Sequence, residues 1–375
     1  MKSTLYIYKL LAIILTTSYI LNACNTKKNI QSKKKFFPVK AIIQTKAVNN
    51  FDDAADDPAI WYNYSNPSNS KIIGTDKQQG LGIYDLDGNL INFVSVGKIN
   101  NCDVAYNIKT NKQTFDIVAG SNRTNNTISI YQLNNTNSSL DSIPIMSIPS
   151  ITNEVYGFCL YQPTNSKETF AISVGKDGLI EQYKIASSNL LPKAELVWKY
   201  KLKSQCEGLV TDVEKQLLYV GEENVGVWKI DLNKNSNRQA ELIINIKDNK
   251  NLKADIEGLA LYYASNGKGY LIASSQGNNS FAIFERENPN KYIGSFQIID
   301  GEKIDGVSET DGIEVLNLKL NETFKNGVFI AQDGFNYENN KLSTQNFKLI
   351  SWEEIVKSIQ PNLIIDNNYS QVKYK

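Results

Sequence analysis

The hydrophobic and polar positions of the chain form a pattern that repeats six times, with 46 to 54 residues between consecutive units. In each unit a polar residue precedes a short apolar segment, a polar turn, a second apolar segment, a loop and a third apolar segment. The leading polar residues are Asp57, Asp103, Tyr156, Glu207, Glu257 and Asp311. Repeats of this length, built from short strands, are typical of propeller blades. The pattern predicts an all-β fold, a six-bladed β-propeller with four-stranded antiparallel blades.

Such a blade brings polar residues together at one face of the molecule. Neighbouring antiparallel strands place the start of one strand beside the end of the next, so the leading residues share a face with the loops that follow each second strand. Five of the six leading residues are carboxylates, and the loops add three cations, Lys77, Arg123 and Lys176. Carboxylates clustered this closely repel one another unless cations lie among them. We therefore expect a metal site at the mouth of the central channel.

The two ends of the propeller domain are expected to meet. The sixth repeat has no clear outer strand after Lys348–Trp352, and residues 39–44 are apolar enough to supply it. Such a pairing would close the ring and cover two open strand edges. Residues 352–359 are predicted to form one short terminal helix.

Composition narrows the chemistry. The chain of 375 residues has a net charge of +1, which gives no general attraction to nucleic acid. It contains no histidine, which excludes Ser-His-Asp and Cys-His hydrolysis and HExxH zinc chemistry. A hydrolase with this composition must use carboxylates, a metal-bound water, or both. Oxygen ligands favour hard cations, Ca²⁺ first and Mg²⁺ or Mn²⁺ after it.

The N-terminus has the pattern of an export signal. A basic start and an apolar run over residues 10–20 lead to Ala23 and Cys24, which resembles a bacterial lipoprotein cleavage site. We expect a signal peptide at 1–24, a polar tether at 25–36, the propeller at 37–362 and a C-terminal tail at 363–375. The chain would then be exported and lipid-anchored through Cys24 on the periplasmic or cell-surface side of a membrane. An ordinary signal peptide cut nearby is the alternative.

Three cysteines remain, Cys102, Cys159 and Cys206, each in or next to a leading strand. An odd number cannot pair completely within one chain. Buried small residues near the channel are the favoured interpretation over a metal site or a disulfide.

Candidate metal ligands lie in four acidic segments, Asp52–Trp61, Gln205–Gly208, Asp255–Gly258 and Asp300–Gly312, and in the pair Glu222 and Glu223. Alternate strand residues face the same side, so both carboxylates of the third segment can grip one cation. The first segment could instead be a solvated acidic turn, and the last, which lacks the spacing of an EF-hand loop, an ordinary long turn. The two Glu-Gly segments gain weight because they recur at the same place in their repeats.

The cations suggest the substrate. A lysine in a hairpin loop is usually only solvated, but Lys77, Arg123 and Lys176 occupy equivalent loops of three adjacent repeats, and Tyr156 leads the third repeat. This arrangement suits an anionic substrate, and phosphate fits best because Arg can bind it through two nitrogens and Lys as a point charge.

The chain resembles the β-propeller phytases, the calcium-dependent alkaline phytases of bacteria, from about residue 52 to residue 352. The matching stretches are Asp53–Trp61, Asn100–Asp103, Glu154–Phe158, Gly178–Tyr183, Glu207–Leu209, Asp255–Leu259, Lys268–Asn279, Thr310–Gly312, Ala331–Gly334, Gln345–Lys348 and Trp352.

The resemblance implies structural calcium ions and a catalytic calcium cluster at the channel mouth. The implied calcium ligands are Asp57, Glu207, Glu223, Asp255, Glu257 and Asp305. Glu222, next to Glu223 in the same loop, is a further metal candidate from the repeat pattern. The implied phosphate contacts are Tyr156, Lys77, Arg123 and Lys176. Further candidates, for calcium or for phosphate, are Asp56, Asp103, Asp311 and Gln276.

The resemblance also implies a reaction, the removal of phosphate from phytate by a calcium-activated water. Glu207 or Glu223 would accept or orient the proton of that water, and Tyr156, Lys176 and Arg123 would hold the phosphate. The expected substrates are phytate and lower inositol phosphates, including their calcium salts, and the expected state is a monomer.

Two positions depart from the family pattern. Ala105 stands where an Arg is common, and Gln78 stands where the family often has a second Lys after Lys77. We expect both changes to remove positive charge near an auxiliary phosphate site.

Two other functions fit parts of the pattern. A calcium-dependent propeller esterase or lactonase would need fewer cations around the pocket than this chain carries. A non-catalytic surface propeller would not need carboxylates in register at the channel and would more often show an aromatic groove.

Overall fold

The computed structural model describes residues 36–375 apart from 111–112, 135–136, 138, 187–192, 234–236, 360–362, 367–368 and 370–375. The predicted signal peptide, its Cys24 and all but the last residue of the predicted tether lie outside the described residues. The described residues form a six-bladed β-propeller of four-stranded antiparallel sheets, which confirms the predicted fold. Among the described residues, no helix has the length and apolar character to cross a bilayer.

Two short strands precede the first blade, β1 (Phe37–Val39) and β2 (Ile43–Gln44). Blade 1 contains β3 (Ala55–Trp61), β4 (Lys71–Asp76), β5 (Gly80–Tyr84) and β6 (Leu90–Ser95). Blade 2 contains β7 (Ile99–Lys109), β8 (Thr114–Asn122), β9 (Thr127–Leu133) and β10 (Met146–Pro149). Blade 3 contains β11 (Val155–Tyr161), β12 (Thr169–Gly175), β13 (Leu179–Ala186) and β14 (Lys193–Lys201).

Blade 4 contains β15 (Cys206–Asp212), β16 (Leu217–Glu222), β17 (Gly226–Asp231) and β18 (Ala240–Asn245). Blade 5 contains β19 (Ile256–Tyr263), β20 (Gly269–Ser275), β21 (Ser280–Glu285) and β22 (Tyr292–Ile298). Blade 6 contains β23 (Ile313–Leu316), β24 (Val328–Asp333), β27 (Asn346–Ser351) and β2, with a small hairpin of β25 (Tyr337–Glu338) and β26 (Lys341–Leu342) inserted before β27. Three short 3₁₀ turns cover Pro67–Asn69, Ser265–Gly267 and Gln276–Asn278.

The N-terminal segment closes the ring across two blades. Strand β2 pairs antiparallel with β27 through Ile43 and Gln44, as predicted for the outer strand of blade 6. The pairing of Val39 differs from the expectation that residues 39–44 pair with blade 6. Its strand β1 pairs parallel with β22 and adds a fifth strand to blade 5. Val39 is 4% exposed and packs in the apolar cluster between these blades, so burial of its side chain accounts for the different partner.

The leading strand of each blade is innermost, and β3 contacts both β7 and β23, which completes the ring. Helix α1 (Trp352–Ser358) confirms the predicted terminal helix to within a residue, and its Trp352 ring stacks on Tyr262 with 4.0 Å between centroids. Cys102, Cys159 and Cys206 are buried, as expected, and none of them forms a disulfide with another described residue.

Candidate active site

The inner strands of blades 1 to 5 each begin with a β-bulge, and the bulges place the site's side chains. In blades 1, 2, 4 and 5 two residues of the inner strand oppose one residue of the second strand, and in blade 3 Tyr156 alone is inserted. A bulge bends the strand and re-aims the extra side chain. The first bulge residues are Asp56, Asn100, Tyr156, Glu207 and Glu257.

These bulges correct the alignment of the first two repeats. Asp56 and Asn100, rather than Asp57 and Asp103, are equivalent to Glu207. Asp57 and Asp103 line a separate cavity of about 50 Å³ that all six inner strands enclose deeper in the channel. There they accept backbone hydrogen bonds from the neighbouring blades, from Cys102 at 3.0 Å and from Leu160 at 2.8 Å.

Close packing of the inner strands depends on the glycines that follow the leading residues. A Cβ on Gly208 would lie 2.0 Å from the carbonyl oxygen of Glu257, and one on Gly157 would lie 1.9 Å from that of Glu207. No side chain fits at these distances. The recurring glycines therefore let adjacent blades bring their carboxylates together.

Three glutamates form the centre of the mouth. Glu207, Glu223 and Glu257 are buried, and each offers an oxygen within 4.8 Å of the others. Oε1 of Glu223 and Oε2 of Glu257 are buried without a hydrogen-bond partner. Asn100 donates to Oε1 of Glu207 at 2.6 Å. Unpaired carboxylate oxygens in a buried cluster are costly, and a hard cation satisfies them. The donor set fits calcium.

Burial and the neighbouring carboxylates raise the pKa values of this group. Burial raises the pKa of Glu257 well above its usual range, and the Glu207 carboxylate raises it further. Burial also raises the pKa of Glu223, although Gln205 opposes the shift. Burial is the largest cause of the raised pKa of Asp56, about 8, and of the raised pKa of Asp311, about 7.

Lys77 lies inside the acidic mouth and is 8% exposed. Its ammonium contacts Asp53 at 2.7 Å, Asp56 at 2.9 Å and Asp311 at 2.8 Å. Burial lowers the pKa of Lys77, but Asp56 and Asp311 outweigh it and raise the pKa above its usual range. Lys77 is therefore a permanent cation that joins blades 1 and 6. Gln276 donates to the other oxygen of Asp311 at 2.7 Å.

The other two cations lie over an aromatic ring on blades 2 and 3. The Arg123 guanidinium carbon is 5.6 Å, and the Lys176 ammonium 4.8 Å, from the centroid of the Tyr156 ring. Both cations contact Glu154, and Arg123 also donates to Oδ1 of Asn100 at 3.1 Å.

The mouth opens into a pocket of about 490 Å³. Lys77, Tyr156, Glu223, Asp255, Glu257 and Gln276 line it. Its apolar lining, on the side of blades 6 and 1, consists of Phe51, Phe335 and Leu342. Its volume lies in the range of small-molecule sites.

Asp57 lies in the deeper cavity and Asp255 on the pocket lining, and two more expected calcium ligands, Glu222 and Asp305, also lie outside the glutamate cluster. Glu222 accepts from Ser204 and from Nε1 of Trp228 at 2.7 Å, so its carboxylate is used within blade 4. Asp305 contacts the fully buried ammonium of Lys348, which also reaches Asp333 at 2.8 Å.

The expected effect of Ala105 is corrected by its position. Ala105 is fully buried on β7, beyond Asp103, in the apolar cluster with Ile117 and Phe158. Its side chain is core and does not face the mouth. Gln78 is exposed beside Lys77, and its amide donates to the carbonyl oxygens of Phe51 at 3.0 Å and Asp53 at 3.2 Å.

Sequence reasoning missed Asn100 and Glu154 as parts of the site. Asn100 links Glu207 to Arg123, and Glu154 joins the two cations over Tyr156. Both residues stand in stretches that match the family, which is the signal that could have identified them.

Comparison with known proteins identifies the family of this chain. The family model described as Phytase matches residues 5–375. The chain belongs to the phytase family. The 3-phytase of Bacillus subtilis (strain 168) is 43% identical over 344 residues, which cover 90% of each chain. The resemblance inferred from the motifs is thus confirmed for this phytase-family chain.

Solved structures match it more distantly. BBS1N in complex with ARL6DN, in crystals soaked with lead, gives a TM-score of 0.44 at 12% identity over 76% of this chain and 74% of that one. The same complex soaked with mercury gives 0.45 at 10% identity over 84% and 98%. Neither match bears on the function of this chain.

Proposed function

We propose that this phytase-family chain is a calcium-dependent phosphomonoester hydrolase that removes phosphate from phytate and lower inositol phosphates. The observation that carries the proposal is a single mouth that joins three glutamates, with two unpartnered carboxylate oxygens, to the cations over Tyr156. The first group suits a hard cation and the second suits phosphate.

In this proposal Glu207, Glu223 and Glu257 hold calcium, with Asp56, Asp255 and Asp311 beside them. Bound calcium would offset the carboxylate charge and make a water more acidic. Glu223 has two carboxylate oxygens, so one would hold calcium while the other could accept the proton of the attacking water. Asn100, which donates to Glu207, fixes that carboxylate for its part in the cluster.

The cations bind and orient the phosphate. Arg123 and Lys176 approach from blades 2 and 3, where they can stabilise charge on the non-bridging oxygens as the ester bond breaks. Lys77 contacts three carboxylates, so its charge mainly offsets theirs and contributes less to phosphate binding. The leaving group is an inositol hydroxyl.

A comparison of two substrates tests the proposal. The protein is offered phytate and an aryl carboxylate ester, each with calcium and with a chelator. Calcium-dependent phosphate release from phytate, without ester hydrolysis, is expected. Ester hydrolysis alone would support the esterase or lactonase, and no reaction from a folded protein would support a binding propeller.

The N-terminal pattern supports a second proposal, that the chain is exported and anchored through a lipid on Cys24. The proposal predicts that the expressed protein enters the detergent phase after cell lysis, and that Cys24→Ser moves it to the aqueous phase. Equal partitioning of the two proteins would contradict it.

A further inference from the structure

One carboxylate oxygen contacts both cations that lie over the Tyr156 ring, Arg123 of blade 2 and Lys176 of blade 3. Oε1 of Glu154 accepts from Nε of Arg123 at 2.7 Å and lies 2.6 Å from its Nη2. The Lys176 ammonium lies 3.2 Å from the same oxygen. Three donors on one anionic oxygen are what a phosphate oxygen would receive at this place.

The contact occupies the edge of Arg123 that a phosphate needs. A guanidinium grips phosphate with two parallel N–H groups, and Nε with Nη2 forms one such edge. Nη1 of Arg123 donates to Oδ1 of Asn100 at 3.1 Å, so the other edge of the guanidinium, which includes Nη1, also has a partner. A substrate phosphate that binds Arg123 through two nitrogens must therefore compete with Glu154.

The contact is open enough to exchange. The side chains of Arg123, Lys176 and Glu154 are 25%, 33% and 39% exposed, so water reaches all three. Partly exposed ion pairs are weak, so a polyanion can replace one of them.

We propose that Glu154 is a displaceable stand-in for one phosphate group of the substrate. It holds Arg123 and Lys176 over Tyr156 in the free protein, gives way when a phosphate binds, and returns to the cations as inorganic phosphate leaves. The inference rests on the proposed function, because it deepens the role of the same site.

A role in positioning alone makes the opposite prediction. If Glu154 only fixed the two cations, its removal would weaken phosphate binding and turnover. If Glu154 competes with phosphate, removal of its charge strengthens the binding of both substrate and product.

The test is Glu154→Gln, which keeps the shape and removes the charge. In the calcium-loaded protein, the KM for phytate and the inhibition constant of inorganic phosphate should both fall, by about two- to five-fold, with no rise in kcat. Glu154→Asp keeps the charge and should stay closer to the original constants. A rise in KM, a fall in kcat with unchanged inhibition, or no change would overturn the proposal.

A matched control lies on the same blade. Glu168 pairs with Lys184 at similar exposure, 42% and 39%, at the opposite end of the blade 3 strands. Glu168→Gln should leave both constants unchanged, and an equal shift there would contradict a local effect at the mouth.

A binding measurement separates this inference from the proposed function. Calorimetric titration with inorganic phosphate needs no turnover. If the protein releases no phosphate from phytate, the proposed function fails, while tighter phosphate binding by Glu154→Gln would still support the stand-in role and equal binding would reject it.

Discussion

Calcium binding at neutral pH should expel protons from the mouth of the channel. Asp56 has a pKa of about 8, raised first by burial and lowered in part by Lys77. Asp311 has a pKa of about 7, raised by burial and by Asp56. At pH 7 the first carboxyl holds about nine tenths of a proton and the second about half of one. A cation that needs both carboxylates ionised releases about 1.4 protons per molecule, and more if Glu257 takes part.

The number of protons is measured by calorimetry. Calcium is titrated into the metal-free protein at pH 7 in buffers that differ in enthalpy of ionisation, and the slope of observed against buffer enthalpy gives the protons released. Asp56→Asn should lower the release by about one proton. Asp87→Asn, an exposed position at the far end of blade 1, should leave it unchanged.

The same shifts fix the sign of the pH dependence of stability. A carboxyl whose pKa is higher in the folded than in the unfolded protein binds more protons when folded, so the free energy of unfolding falls as pH rises. For the metal-free protein we expect this fall between about pH 4 and pH 8, and saturating calcium should reduce it. Calcium binding that releases no protons at pH 7 would contradict these raised pKa values. So would a free energy of unfolding of the metal-free protein that rises between about pH 4 and pH 8.

Three further substitutions test separate parts of the structure. Glu223→Gln should lower phosphate release by about 100-fold or more at saturating calcium, because it removes a charged oxygen from the cluster; near-normal turnover, or an equal loss in Glu241→Gln on the edge of blade 4, would reject that role. Arg286→Met should lower the free energy of unfolding in urea by about 3–5 kcal/mol, since it strands the carboxylates that the fully buried guanidinium pairs with; a loss below about 1 kcal/mol would contradict this. Gly208→Ala should weaken calcium binding in calorimetry, because its Cβ would press on the carbonyl oxygen of Glu257 at 2.0 Å; unchanged affinity would show that the blades can separate without cost.

The fold could be predicted because its cause is periodic. Alternating apolar segments and polar turns define each blade, and antiparallel pairing then requires the loops of Lys77, Arg123 and Lys176 to share a face with the leading residues. The closing strand followed from the missing edge of blade 6, and β2 supplies it. The additional pairing of β1 depends on side-chain burial between two blades, which a strand pattern does not encode.

The site was predictable in outline and not in register. A bulge adds a residue without changing the hydrophobic pattern. The pattern therefore indicates Asp57 and Asp103 as the leading residues of repeats 1 and 2, whereas the structure has Asp56 and Asn100 at the equivalent positions. The ammonium that meets Asp305 comes from Lys348, 43 residues away in the chain. Such partners depend on the folded path of the chain rather than on local pattern.

Calcium removal and restoration tests the central claim most directly. The purified protein is stripped with a chelator, and phosphate release from phytate is followed as calcium is returned. We expect phosphate release to stop in the chelator-treated protein and to recover when calcium is returned, while the protein stays folded. Undiminished release in the presence of the chelator would contradict it.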